Sequence, residues 1–152
     1  MRTFAFALGL SALLVTGAEA ESFTFVSKVT RGEELQFPDS AATPALAMTQ
    51  KGTMTSTLAD GSKTTGDVRS MVWTTGSADM QLGGLVEIKE PDGTWAISFN
   101  GRNAASGPQS GDGWGRLSGI SGKYKGKTGA GSWSFSETGG VSTIDGSGHW
   151  DQ

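Results

Sequence analysis

Residues 111–131 read GDGWGRLSGISGKYKGKTGAG, and eight of these positions are glycine. Single large or charged side chains, among them Trp114, Arg116 and Tyr124, stand between the glycines. Glycine tolerates left-handed backbone and lets a second backbone come close, so this spacing is typical of strands that bend sharply between tight turns. The stretch therefore predicts the strongly coiled part of a small β-barrel.

A hairpin is predicted around residues 90–93, which read EPDG. Proline presets the backbone of a turn, and the Asp-Gly pair accommodates its exit. With these four residues as the loop, the paired positions are Ile88 with Trp95, Val86 with Ile97, and Gly84 with Phe99. Every apolar side chain then falls on one face, so the register is self-consistent.

The rest of the chain shows the period-two alternation of half-buried strands, and helix signals are nearly absent. Further strands are expected at 22–29, 48–58, 62–75, 114–118, 122–127, 131–136 and 140–150, with loops at 31–46 and 100–113. About eight antiparallel strands joined by short turns predict an all-β chain that forms a single antiparallel eight-stranded β-barrel. A β-sandwich is the alternative that the same strand spacing allows.

A second hairpin is predicted at Asp60-Gly61, because a type I′ turn needs left-handed backbone at both central residues. In that register Asp67 and Arg69 lie opposite Met54 and Gly52, and Trp73 lies opposite Met48. The two charges would then point into a mostly apolar barrel, where they could pair and orient a polar ligand group. The alternative is a one-residue bulge that turns both outward as a surface ion pair.

The N-terminus has the pattern of a secretory signal peptide. Arg2 is followed by an apolar stretch at 4–15 and by Ala18-Glu19-Ala20, the small-x-small form that signal peptidase cuts. This pattern predicts a signal peptide at 1–20, cleavage after Ala20, and a secreted or periplasmic barrel domain at 21–152 that is not membrane-attached. An uncleaved membrane helix is the alternative.

The amino-acid composition limits which reactions, cofactors and partners the chain is expected to have. The 152-residue chain has no cysteine, which rules out disulfides and thiolate catalysis, and a net charge of −3 without a basic stripe, so nucleic acid is not an expected partner. No metal or other cofactor is expected, because His149 is the only histidine and the methionines fit strand cores better than a Cu(I) site. No Gly-x-Ser-x-Gly elbow is present. Glu33 and Glu34 are candidates for a general base near a barrel mouth, with solvated carboxylates as the alternative.

The segment GWGRLSGISGKYKGKTGAGSWSF resembles the allene oxide cyclase/dirigent-type barrel group, whose members carry a glycine-spaced strand pair around one aromatic residue late in the domain. The matching positions are Gly119, Gly122, Tyr124, Gly126, Gly129 and Gly131. Small uncharacterised secreted bacterial members look closest. The resemblance implies an eight-stranded barrel with an apolar cavity that can form homo-oligomers, in a group that includes cyclases and proteins that steer radical coupling. Residues 29–40 do not reproduce a plant cyclase signature, so the catalytic residues are unknown.

The sequence as a whole predicts a barrel that binds a small, largely apolar or amphipathic molecule in its lumen, without established catalysis. The predicted ligand-binding residues are Trp73, Trp95, Phe99 and Tyr124, with Asp67 and Arg69 as the polar end. One alternative is a cyclase or isomerase that holds a reactive substrate in one conformer. A second is a barrel filled by its own aromatic side chains that serves as a structural or interaction module.

Overall fold

The computed structural model describes residues 20–37, 45–75, 81–104 and 107–151, and they form a closed eight-stranded antiparallel β-barrel. The strands are β1 (Glu21–Phe37), β2 (Ala45–Leu58), β3 (Lys63–Thr75), β4 (Gln81–Glu90), β5 (Gly93–Ala104), β6 (Gly107–Gly119), β7 (Thr128–Thr138) and β8 (Val141–Trp150). They follow chain order around the barrel, and β8 closes it by pairing with β1. The predicted fold class is confirmed.

The predicted signal peptide lies outside the described residues, apart from Ala20 at its end. Among the residues that are described, none belongs to a helix of the length and apolar character needed to cross a membrane.

The alternation seen in the sequence decides which side chains enter the barrel. In β1, Phe23, Phe25 and Val29 are buried, whereas Thr24 and Lys28 between them are exposed. Successive side chains on a strand point to opposite faces, so the apolar set lines the interior and the threonines and lysines face solvent. The largest fully buried side chain is Trp95, which is 1% exposed.

The hairpin between β4 and β5 has the predicted register. Ile88 pairs with Trp95, Val86 with Ile97 and Gly84 with Phe99. The turn leaves Glu90 opposite Gly93, so Pro91 and Asp92 alone form its tip.

The hairpin between β2 and β3 differs from the prediction by one residue, because its loop has three residues rather than two. Leu58 and Ser62 flank the loop: the Leu58 N–H donates to the Ser62 carbonyl at 2.9 Å, and the Gly61 N–H donates to the Leu58 carbonyl at 2.9 Å. Gly61 has a φ of +82°, whereas no described residue other than glycine has a positive φ, so Asp60 does not adopt the type I′ conformation. A type I turn followed by one left-handed glycine is the usual three-residue hairpin.

This shift puts Asp67 opposite Thr53 and Arg69 opposite Lys51, and every odd-numbered side chain of β3 faces outward. A change of one residue in register exchanges the two faces of a strand. The prediction that Asp67, Arg69 and Trp73 point into the lumen is therefore wrong.

Three further element predictions are wrong in part. Residues 100–113, expected as a loop, belong to β5 and β6 except for 105–106, which lie outside the described residues. Residues 31–37 and 45–46 extend β1 and β2 into the other expected loop, and the rest of that loop is not described. Residues 122–127, expected as a strand, form a short 3₁₀ helix and a turn, because Gly122 and Gly126 both have positive φ. The Lys123 N–H donates to the Asp92 carbonyl at 3.0 Å, so this turn folds over the β4–β5 hairpin.

Candidate ligand-binding cavity

A cavity of about 520 Å³ lies in the lumen among the described residues. This volume is within the range of about 300–1,000 Å³ that is common for small-molecule sites. Its wall is mostly apolar and is formed by Phe25, Val29, Leu46, Met48, Met54, Val68, Val72, Leu82, Val86, Ile97, Phe99, Trp133, Phe135 and Ile144. An eight-stranded barrel has room either for its own side chains or for one small ligand, and here space remains.

Glycines on β6 position the aromatic side of this wall. A Cβ atom built on Gly113 would lie 2.4 Å from the Trp133 ring, and one on Gly111 would lie 2.6 Å from the Phe135 ring. Both rings therefore lie flat against the neighbouring strand, at positions where no other residue type would leave space for them. Trp133 also contacts Phe99 edge-to-face, with 5.4 Å between the ring centroids. The glycine-rich stretch thus determines the width of the lumen.

One end of the lumen is closed by an aromatic floor, which consists of Phe23, Trp95, Tyr124 and Trp150. All four side chains are at least 94% buried. The Trp150 ring lies 5.5 Å from the Trp95 ring, edge-to-face, and 5.2 Å from the Tyr124 ring. None of the four lines the cavity, so the floor separates it from that end of the barrel.

Glu90 is buried at the floor, with a side chain that is 0% exposed. Its carboxylate accepts hydrogen bonds from Ser56 Oγ at 3.3 Å, from Trp95 Nε1 at 3.4 Å and from the Tyr124 hydroxyl. Lys123 Nζ lies 3.8 Å from the same carboxylate. A buried carboxylate needs such donors because desolvation is otherwise very costly. Burial, followed by the hydrogen bond to Glu90, raises the pKa of Tyr124.

The other end of the lumen carries a pair of charged side chains, Arg31 and Glu137, which we call the rim pair. Arg31 Nε and Nη2 donate to Glu137 Oε2 at 3.2 and 2.9 Å, and Ser142 Oγ donates to the same oxygen at 3.1 Å. Arg31 Nη1 donates to Glu34 Oε1 at 3.3 Å. The hydrogen bond with Glu137 raises the pKa of Arg31, and burial opposes that effect.

A β-bulge brings Glu34 to this rim. The pairing of β1 with β2 shifts between Arg31 and Glu34, and the Glu33 N–H donates to Thr49 Oγ1 at 3.0 Å inside the bulge. On a regular strand, residues three apart point to opposite faces. The bulge places both side chains on the same face, and Gln36 beyond it also lines the cavity.

Neutral polar side chains complete the lining. They are Ser27, Gln36, Gln50, Ser70, Thr74, Asn103 and Ser142. Ser70 Oγ donates to Gln50 Oε1 at 3.1 Å, and Ser27 Oγ donates to the Thr53 carbonyl at 3.0 Å. Arg31 and Glu137 are the only charged side chains of the lining among the described residues.

The structure separates the residues that the sequence predicts as one site. Phe99 lines the cavity. Trp95 and Tyr124 point inward but belong to the floor, outside the lining of the cavity. Asp67, Arg69 and Trp73 lie on the outer face. There the register places Asp67 beside Lys89 and Arg69 beside Glu87, and Trp73 covers Gly83 with its ring while remaining 40% exposed.

Sequence reasoning missed the rim pair. Arg31 and Glu137 are 106 positions apart, and they meet only because β1 and β7 both flank β8. The sequence did offer one signal: along β1 every second side chain points inward, and Arg31 continues the inward series of Phe23, Phe25 and Val29. Of the two glutamates that the sequence offers as candidate bases, Glu34 is bound to Arg31, whereas Glu33 is exposed on the bulge.

No protein-family model and no curated protein matches the chain. The likeness to the allene oxide cyclase/dirigent-type group therefore stays a prediction from the glycine-rich stretch.

Proposed function

We propose that this protein is exported by its first twenty residues and binds a small, largely apolar molecule in the barrel lumen. The observation that carries the proposal is the cavity of about 520 Å³, walled by apolar side chains and bordered by polar ones at the rim. Apolar pockets with a few placed polar groups are the usual form of small-molecule sites. The lumen of a purely structural barrel of this size would be filled by its own side chains.

Binding is proposed rather than catalysis. The charged groups in the described lining are Arg31 and Glu137, and each is bound to the other. The described lining offers no second acid or base to work with Glu137 in proton transfer. The cyclase or isomerase alternative therefore has support only from the resemblance in the glycine-rich stretch.

The test is a matched pair of substitutions on β4. Val86 lines the cavity and Leu85, its neighbour, is 51% exposed on the outer face. V86W places an indole ring in the lumen, and L85W adds the same ring outside. Displacement of an uncharged polarity-sensitive dye measures binding, and native mass spectrometry of protein from its own host detects a retained ligand.

We expect V86W to lose dye binding and the retained mass, and L85W to keep both. Equal binding by the two folded variants would show that the dye binds elsewhere, and the lumen would no longer be the proposed site.

A further inference from the structure

The chemistry of the rim restricts the polar end of a lumen ligand. The floor closes the opposite end, so a molecule with one polar end must place that end at the rim and its apolar part against the wall. The groups that meet it there are the rim pair with Glu34, and the neutral side chains Gln36, Gln50 and Ser70. This inference rests on the proposed lumen binding.

The cationic group among the described rim residues, Arg31, has all three of its nitrogens engaged, and two of its five N–H groups remain. Three nitrogens of Arg31 donate to carboxylates, two to Glu137 and one to Glu34. Glu137 has a side chain that is only 15% exposed, and its Oε2 also accepts the bond from Ser142. Both bonds to Glu137 end on one oxygen, Oε2, and charge-assisted hydrogen bonds of this kind are stronger than neutral ones. A ligand carboxylate could bind the Nε–Nη2 edge of Arg31 only by displacing Glu137 from a partly buried position.

The local charge also disfavours an anion. Among the described residues, one guanidinium and two carboxylates meet at the rim, which leaves an excess of one negative charge when all three are ionised. A second anion a few ångströms away is repelled, and the low polarity of the wall weakens screening. Amide and hydroxyl side chains, by contrast, can exchange hydrogen bonds with an uncharged group at no such cost.

We infer that the lumen ligand is an amphipathic molecule whose polar end is not an anion, such as an alcohol, a ketone, an amide or an amine, and that the Arg31–Glu137 pair discriminates against carboxylates. Glu137 is in this sense a specificity-determining residue, because it occupies the guanidinium that would otherwise bind an acid.

The experiment compares three probes with one apolar chain and different ends: decanol, decanoate and decylamine. Each is titrated against the dye-loaded protein at neutral pH. Decanol is expected to bind at least about tenfold more tightly than decanoate, which is the effect of one modest like-charge contact. Decylamine is expected to bind more tightly than decanoate for the same reason, and decanoate binding as tightly as either of the other two probes would overturn the inference and leave lumen binding intact. If no probe displaces the dye and V86W does not reduce dye binding, the proposed function itself fails.

A variant pair identifies the residue responsible. E137Q frees Arg31, so decanoate should bind about tenfold more tightly than to the wild type while decanol changes little. E33Q removes the same charge from the exposed bulge without altering the bonds of Arg31, and should leave the ratio unchanged. E34Q provides a second release of Arg31 if E137Q does not fold. A decanol-to-decanoate ratio that is the same in wild type and in the folded E137Q and E34Q variants would contradict the role of the pair.

Discussion

Replacement of Glu90 by alanine should destabilise the barrel more than any surface substitution on the same strand. The carboxylate has a side chain that is 0% exposed and accepts three hydrogen bonds from protein donors. Alanine leaves Ser56 Oγ, Trp95 Nε1 and the Tyr124 hydroxyl without this acceptor. It also leaves a space at the floor.

The size of the effect follows from these contacts. A hydrogen bond to a charged group contributes about 1.5–3 kcal/mol, and each buried donor left without its acceptor costs about 1–3 kcal/mol. We therefore expect E90A to lower the free energy of unfolding by about 3–5 kcal/mol. E90Q keeps the shape and part of the hydrogen bonding, so its loss should be about 1–2 kcal/mol.

The assay is urea unfolding followed by tryptophan fluorescence, since Trp95 and Trp150 lie in the floor itself. With a slope near ~2 kcal/mol per molar urea, E90A should move the midpoint by about 2 M. The control is E87A, which removes an exposed carboxylate three residues earlier on the outer face of β4, and it should change stability by less than about 1 kcal/mol. Losses within about 1 kcal/mol of each other for E90A and E87A would refute the reasoning, because they would show that the floor donors find other acceptors.

The other predictions concern the register, the turn and the tyrosine. M54A should lower the free energy of unfolding in urea by about 2–5 kcal/mol because Met54 is 3% exposed. M71A should lower it little because Met71 is 59% exposed. Comparable losses for the two variants would contradict the register of β2 and β3. G61A should lower the free energy of unfolding by about 1 kcal/mol, since φ is +82° at this position, and Gly61→Asn should lower it less. Thermal unfolding measures both losses. A smaller loss with alanine than with asparagine would argue against the left-handed turn. Tyr124 is the only tyrosine, and burial raises its pKa, so the neutral form is favoured by folding and stability is lost as pH rises above about 10. Ultraviolet titration should show the tyrosinate form of Tyr124 only above that pH, and its appearance should coincide with unfolding. Reversible ionisation of Tyr124 near the ordinary tyrosine pKa in the folded protein would contradict this prediction.

Local sequence predicts the barrel well because most strands show strict alternation and the β4–β5 turn contains a proline. Pro91 fixes the backbone at the turn, and the register of Val86 and Ile97 is confirmed, although Glu90 and Gly93 pair with each other instead of belonging to the loop. The β2–β3 hairpin has no such restriction. Asp60-Gly61 is compatible with a two-residue and a three-residue loop, and only the conformation of Asp60 distinguishes them. That single ambiguity places Asp67 and Arg69 on the wrong face.

The site was harder to predict than the fold because its residues are set by tertiary structure. The alternation of residues along a strand predicts which side chains point inward, but it does not predict how deep in the barrel each of them lies. Trp95 and Phe99 share a face of β5, yet one lies in the floor and the other lines the cavity. The rim pair depends further on the closure of β8 against β1, and Glu34 joins it through a bulge in β1; neither feature is marked by a local motif.

The floor has a kinetic consequence. With Phe23, Trp95, Tyr124 and Trp150 packed across one end, a ligand bound as proposed would have to exchange through the opposite end. An elongated ligand must then enter with its apolar chain first and leave with its polar end first. Residence times should consequently respond to changes around Arg31 and Glu137, while changes in the floor should affect unfolding instead.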